Sequence, residues 1–158
     1  MPDAPALFPG WHLAQVNIAR MLAPLDSPVM AGFVAKLDEF NALAERSPGF
    51  VWRFIESGGN ATYLRPYPDE MIIFNMSVWE TPDALKAYVY RTGHADMIRQ
   101  RQQWFEHSDI AIMALWWIPA GTWPTVEEAK ARLAHLREHG ASAHAFGFRQ
   151  IFPPASSP

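Results

Sequence analysis

Met71-Ile-Ile-Phe-Asn-Met-Ser-Val-Trp79 is the stretch on which the fold turns. It holds no Gly or Pro and is rich in β-branched and aromatic side chains, which predicts a strand. A strand sends alternate side chains to opposite faces. One face is then Ile72, Phe74, Met76 and Val78, and the other is Met71, Ile73, Asn75, Ser77 and Trp79. Neither carries a charge, so neither is expected to meet bulk water. The wholly apolar face is expected under the helices. The face that holds Asn75 and Ser77 is expected under a different cover.

Downstream, Thr81-Pro82 sets a capping residue before a proline at the first helical position. A helix follows through Leu85, Tyr88 and Val89 and stops at Gly93. A second helical segment runs from His94 to Phe105. The chain from Ile110 to Ile118 is almost wholly apolar and predicts another strand. Thr125-Val-Glu-Glu128 is a capping box that opens a helix ended by Gly140. A final strand is expected over 145–152.

Upstream, 50–56 reads as an aromatic-rich strand, broken by Ser57-Gly-Gly-Asn60. Ser27-Pro28 repeats the cap-plus-proline signal before Met30, Phe33, Val34, Leu37, Phe40 and Leu43 at helical spacing. Residues 12–20 predict the first strand, with Leu13, Gln15, Asn17 and Ala19 on one face. The order is β-α-β-β-α(α)-β-α-β. Its first six elements match the ferredoxin-like split βαβ order, and the last helix and strand are an addition. The fold class is α+β, in one domain over 12–152, between a Pro-rich flexible arm at 1–11 and a disordered tail at 153–158.

The chain has 158 residues, 49% of them hydrophobic and 13% aromatic, enough for one real core. A formal net charge of −3 argues against a nucleic-acid partner. The absence of cysteine excludes disulfides, thiol nucleophiles and Cys-ligated metals. No apolar run suits a membrane span, and the first residues do not read as a signal peptide. A cytoplasmic protein is expected. The Gly58-Gly59 pair lacks the lysine and helix of a phosphate loop, and no GxSxG motif occurs.

The segment 94–105 breaks its own hydrophobic rule. At about 100° per residue, His94, Met97, Ile98, Arg101, Trp104 and Phe105 share roughly a third of the helix circumference. This face should look inward, yet it holds a His and an Arg, and buried cations need a partner or a wet cavity. Beside the aromatic strand ending in Trp116-Trp117, the pair predicts a pocket.

Three stretches also carry a resemblance: His12-Leu-Ala-Gln-Val-Asn-Ile-Ala-Arg20, the pattern His94–x9–Trp104-Phe105, and Trp117-Ile-Pro-Ala-Gly121 with Pro124-Thr125, Glu128-Ala129, Arg132-Leu133, Leu136, Gly140 and Ala145-Phe146. Together they resemble a bacterial and fungal domain family of unknown function, similar to the antibiotic-biosynthesis monooxygenases and grouped with the dimeric α+β barrels. The resemblance implies a homodimer whose two sheets close into a barrel, with a small-molecule pocket between sheet and helices in each subunit. Relatives of that fold include cofactor-free monooxygenases, isomerases and heme-degrading enzymes, so it implies no single reaction.

The candidate catalytic residues are His94, as acid or base, and Arg101, as the holder of a carboxylate, phenolate or enolate. Asn75, Ser77, Gln15 and Asn17 are candidates to orient a ligand; their structural alternative is bonding to one another across a dimer interface. Trp52, Trp79, Trp104 and Trp117 offer stacking surfaces and Tyr88 a hydroxyl, although strand aromatics more often pack a core. His135, His139 and His144 are checked as metal ligands and lack an acidic partner at suitable spacing. The expectation is a cofactor-free enzyme on a flat, aromatic or enolisable molecule. The alternative is a ligand-binding or heme-binding protein, with His94 on the iron.

Overall fold

The computed structural model describes residues 8–55, 66–92 and 95–155, and the side chains of 92–99 are not among them. Four strands, β1 (Trp11–Arg20), β2 (Phe50–Arg53), β3 (Ile72–Trp79) and β4 (Met113–Pro119), form one sheet in the order β2-β3-β1-β4. Every pairing is antiparallel. With α1 (Ala31–Glu45) between β1 and β2, and α2 (Pro82–Thr92) and α3 (Ala95–Trp104) between β3 and β4, this is the ferredoxin-like order read from the sequence. The additional helix is α4 (Val126–His139).

The caps behave in two ways. The Thr81 and Thr125 hydroxyls accept the backbone N–H of Ala84 and Glu128, each at 3.1 Å, as helix-starting threonines do. Ser27 makes no such bond, because Pro28–Met30 first forms a 3-10 turn and α1 begins after it.

The expected cover of the sheet is reversed. The apolar face is packed by α4: Ala129 and Leu133 join Ala14, Val16, Ile18, Met76, Val78, Ala114, Trp116 and Ile118 in one buried cluster. The face holding Asn75 and Ser77 takes the chain's own α1 and α2, through Ala44 and Leu85 against Leu13, Trp79, Leu115 and Trp117. Both faces are largely apolar in sequence. Strand alternation separates them, but it does not say which one the crossover helices meet.

The expected final strand is reduced to two isolated bridges, Ala145 with Ser142 and Phe146 with Leu115. Phe146 and Leu115 exchange backbone hydrogen bonds at 2.7 and 2.9 Å, and the segment beyond is irregular. Its apolar side chains still bury: Phe146 is fully enclosed, and Phe148 and Phe152 pack against the same cluster. At the other end, Phe8 meets the Trp117 ring edge-on at 5.2 Å, so the chain packs on the domain four residues before the expected start. Among the described residues, no helix is long and apolar enough to cross a membrane.

Candidate functional site

The helix-covered face carries a row of neutral polar side chains in its centre. Register explains why they meet: Gln15 stands opposite Ser77, and Asn17 opposite Asn75. Directly opposed residues of an antiparallel pair share a face, with Cβ atoms about 5 Å apart. Gln15 Nε2 donates to Asn75 Oδ1 and to Ser77 Oγ, both at 2.8 Å. Asn17 Nδ2 donates to Gln15 Oε1 at 3.0 Å and to Asn75 Oδ1 at 3.2 Å. Trp79 Nε1 donates to Ser77 Oγ at 2.8 Å.

The row runs from dry to wet. Gln15 and Ser77 are buried, Asn17 is half-buried and Asn75 is exposed. It is flanked by two apolar clusters on the same face. One holds Trp79, Leu13, Leu115, Trp117 and Phe146. The other holds Met21, Met30 and Trp104, with Phe33, Met71, Ile73 and Phe105 against it. The arrangement is a polar strip between two aromatic walls, open at Asn75.

The hydrogen-bond tally gives the strip a direction. An indole can only donate, so the Ser77 oxygen must accept from Trp79. The Asn75 oxygen already takes two bonds, and its amide N–H groups have no acceptor among the described residues at the open end. Unspent donors at the mouth of a drying site suit a carbonyl or a developing oxyanion.

The other candidates divide. Tyr88 lies 5.2 Å from the Trp79 ring and donates its hydroxyl to the Phe40 carbonyl at 3.1 Å. Burial pushes its pKa up against the pull of the nearby Arg53 charge, which keeps the phenol protonated. Trp117 is on the same face, with Nε1 bonded to the Phe152 carbonyl at 2.7 Å. Trp104 lies in the second wall, where a Cβ on Gly32 would stand 3.3 Å from its ring. Trp52 is on the opposite face of the sheet, stacked on Trp123 at 5.7 Å and 14°.

Arg101 does not point inward. It is exposed, with its guanidinium 5.6 Å over the Phe105 ring. The C-terminal end of α3 docks through Trp104 and Phe105, and Arg101, one turn earlier, lays its stem on an aromatic and its charge in water. His94 lies outside the described residues. One residue absent from the sequence expectations enters: Arg53 pairs with Ser77 at the edge of the row.

The three C-terminal histidines gather, with His135 centred 4.6 Å from His139 and 4.5 Å from His144. Arg132 occupies the nearby space, donating to the His144 carbonyl at 2.8 Å and lying 3.1 Å from its Nδ1. Among the described residues, no group of three or more His, Asp or Glu side chains is arranged to hold a metal.

The sheet order and helix placement define a ferredoxin-like α+β domain with an added C-terminal helix. Within that class, the chain belongs to the domain family of unknown function DUF3291, which it matches over residues 12–158. Solved structures of similar fold include SnoaB, a cofactor-independent oxygenase from Streptomyces nogalater, at 17% identity and a TM-score of 0.43, covering 71% of this chain and 95% of that one. They also include a candidate antibiotic biosynthesis monooxygenase from Chloroflexus aurantiacus, at 14% identity and a TM-score of 0.37, covering 73% and 98%. No protein with a curated description matches the chain.

Proposed function

We propose that the chain is a small-molecule enzyme acting on a flat, partly apolar, aromatic or enolisable substrate, by acid/base chemistry that needs no organic cofactor. The observation that carries this is the strip Gln15–Asn17–Asn75–Ser77, set between two aromatic walls and open to solvent at Asn75. Aromatic walls suit a planar ring system, and a few convergent polar groups orient it. The unspent Asn75 amide suits charge that develops on a substrate oxygen when a neighbouring C–H or O–H is deprotonated. The strip itself holds no base of suitable pKa, so His94 remains the candidate for that role. Monooxygenation, isomerisation and elimination all begin with such a proton removal.

The test is turnover of a panel of phenols, quinones and β-dicarbonyl compounds by wild type, Asn75→Ala and His94→Ala. Consumption by wild type that falls in both variants supports the reading. Binding without consumption across the panel overturns the enzyme reading in favour of a ligand-binding protein. A Soret band on adding hemin, lost in His94→Ala, would favour the heme alternative.

We also propose a homodimer, and its surface changes with the fold. The polar face is occupied by the chain's own helices. The β2–β3 side of the opposite face keeps Trp52, Phe54, Ile72 and Phe74 only partly buried. That apolar surface is the contact expected between two chains.

A further inference from the structure

Arg53 stands beside the polar strip because β2 contains one residue too many. Phe50 pairs with Trp79, Trp52 with Val78 and Arg53 with Ser77, so two residues of β2 span a single step of β3. The extra residue, Val51, makes a β-bulge, a device that re-aims side chains. Under unbroken alternation from Phe50, Trp52 would stand opposite Ser77 and Arg53 would share the far face with Met76. The bulge exchanges them. Trp52 goes to the far face and stacks on Trp123, while Arg53 comes to the strip beside Ser77 and diagonal to Asn75.

A second contact places the guanidinium on that face independently. Arg53 Nε donates to Glu45 Oε1 at 2.7 Å, and Glu45 is the last residue of α1, which packs there. The Arg53 side chain is only 22% exposed. A guanidinium carries five N–H donors in a rigid fork. Glu45 uses the Nε–H alone, and the two terminal amino groups have no partner among the described residues. Gln15, Asn17, Asn75 and Ser77 are all neutral, so Arg53 supplies the charge that the strip lacks.

From this geometry we propose that Arg53 anchors an anionic oxygen of the ligand, a carboxylate or a phenolate, at the β2 end of the strip. The proposal rests on the reading of the strip as a ligand site. It narrows the substrate class to planar molecules with an acidic substituent, because a fixed fork pairs best with such an oxygen and is poorly matched to a hydrocarbon edge.

The experiment uses the full chain and two planar probes with the same ring system, 2-naphthoate and 2-naphthol. Only the first is charged at pH 7.5. Binding is followed by tryptophan fluorescence and by calorimetry, with circular dichroism confirming the fold of each variant. Wild type is expected to bind 2-naphthoate more tightly than 2-naphthol. Arg53→Gln should weaken 2-naphthoate by about 10- to 100-fold, the range of one charge-assisted hydrogen bond, and leave 2-naphthol nearly unchanged. Arg53→Lys, which keeps the charge without the fork, should fall between. Glu45→Gln should hold or raise the 2-naphthoate affinity; if Arg53 served only to brace α1, it would mimic Arg53→Gln instead. Should Asn75→Ala weaken both probes while Arg53→Gln affects them equally or not at all, the Arg53 proposal is overturned and the site stands. If neither probe binds, or Asn75→Ala changes nothing, the site reading fails and takes this inference with it.

Discussion

Trp79 donates its indole N–H to the hydroxyl of Ser77, two residues earlier on the same face of the same strand, at 2.8 Å. Both residues are buried, and Gln15 donates to the same oxygen. One hydroxyl therefore satisfies two buried donors from two strands. Ser77→Ala would strand the Trp79 indole N–H and one Gln15 amide N–H, while the other Gln15 N–H keeps Asn75 Oδ1. We expect a loss of about 1–3 kcal/mol in urea unfolding, the penalty for stranding buried donors. Asn17→Ala, at a half-buried position, should cost less. An equal or smaller loss for Ser77→Ala would show that the network is not what orders this face.

Gly49 is the hinge between α1 and the bulged strand. It has φ of +84°, and a Cβ there would lie 2.5 Å from the Ala84 Cβ. Its carbonyl accepts the Glu80 N–H at 2.7 Å, which ties the turn to the end of β3. Gly49→Ala is expected to cost about 2 kcal/mol or more, since it combines a left-handed backbone with a steric clash. Gly121→Ala, also at positive φ but with nothing within 4 Å, should cost only the backbone share. Thermal midpoints of the two variants give the comparison.

The C-terminal histidines set a pH dependence. Burial, and then the Arg132 and His135 neighbours, hold the His144 pKa below its ordinary value. In this range the unfolded chain binds more protons than the folded one. Stability should therefore fall as pH drops from about 6.5, the ordinary His value, toward the depressed folded one, and be unaffected by this group above that window. His144→Gln should flatten that segment of a plot of thermal midpoint against pH. An unchanged slope would mean that His144 titrates as it does in the unfolded chain.

Two copies should associate. Sedimentation at micromolar concentration is expected to give twice the 17.9 kDa chain mass. Phe74→Asp puts a charge on the partly buried β2–β3 surface opposite the strip, and it should shift the protein toward single chains. A clean 17.9 kDa species for wild type would end the dimer proposal.

Much of the scaffold was legible. The alternation in Met71–Trp79, the threonine caps and the helical spacing gave strands and helices in their observed order, because each is a local signal with its own physical cause. The polar strip was legible too: Gln15, Asn17, Asn75 and Ser77 stand out as neutral polar residues on uncharged strand faces. What failed depends on phase and register. Arg101 lies in the middle of the arc that should face inward, yet it is exposed, because helical phase alone does not decide whether a long side chain snorkels to water. Trp52, expected at the site, lies on the far face and Arg53 stands beside Ser77, because nothing in Phe50-Val-Trp-Arg53 marks the inserted residue that breaks the ladder. The cover of each face went wrong because helix placement is set by the path of the crossovers, which no strand pattern records.

The bulge at Val51 has a consequence for how such a site changes over time. Altering the chemistry of a binding wall ordinarily requires substituting a residue in it, with intermediates that bind nothing well. Here, one residue inserted ahead of Trp52 would move the strand by half its period and present an indole where a guanidinium now stands, with both side chains already encoded. A deletion would reverse the step. Relatives that differ by a single-residue indel in this strand would then divide into acceptors of acidic and of neutral planar ligands, although every side chain needed for either is present in both.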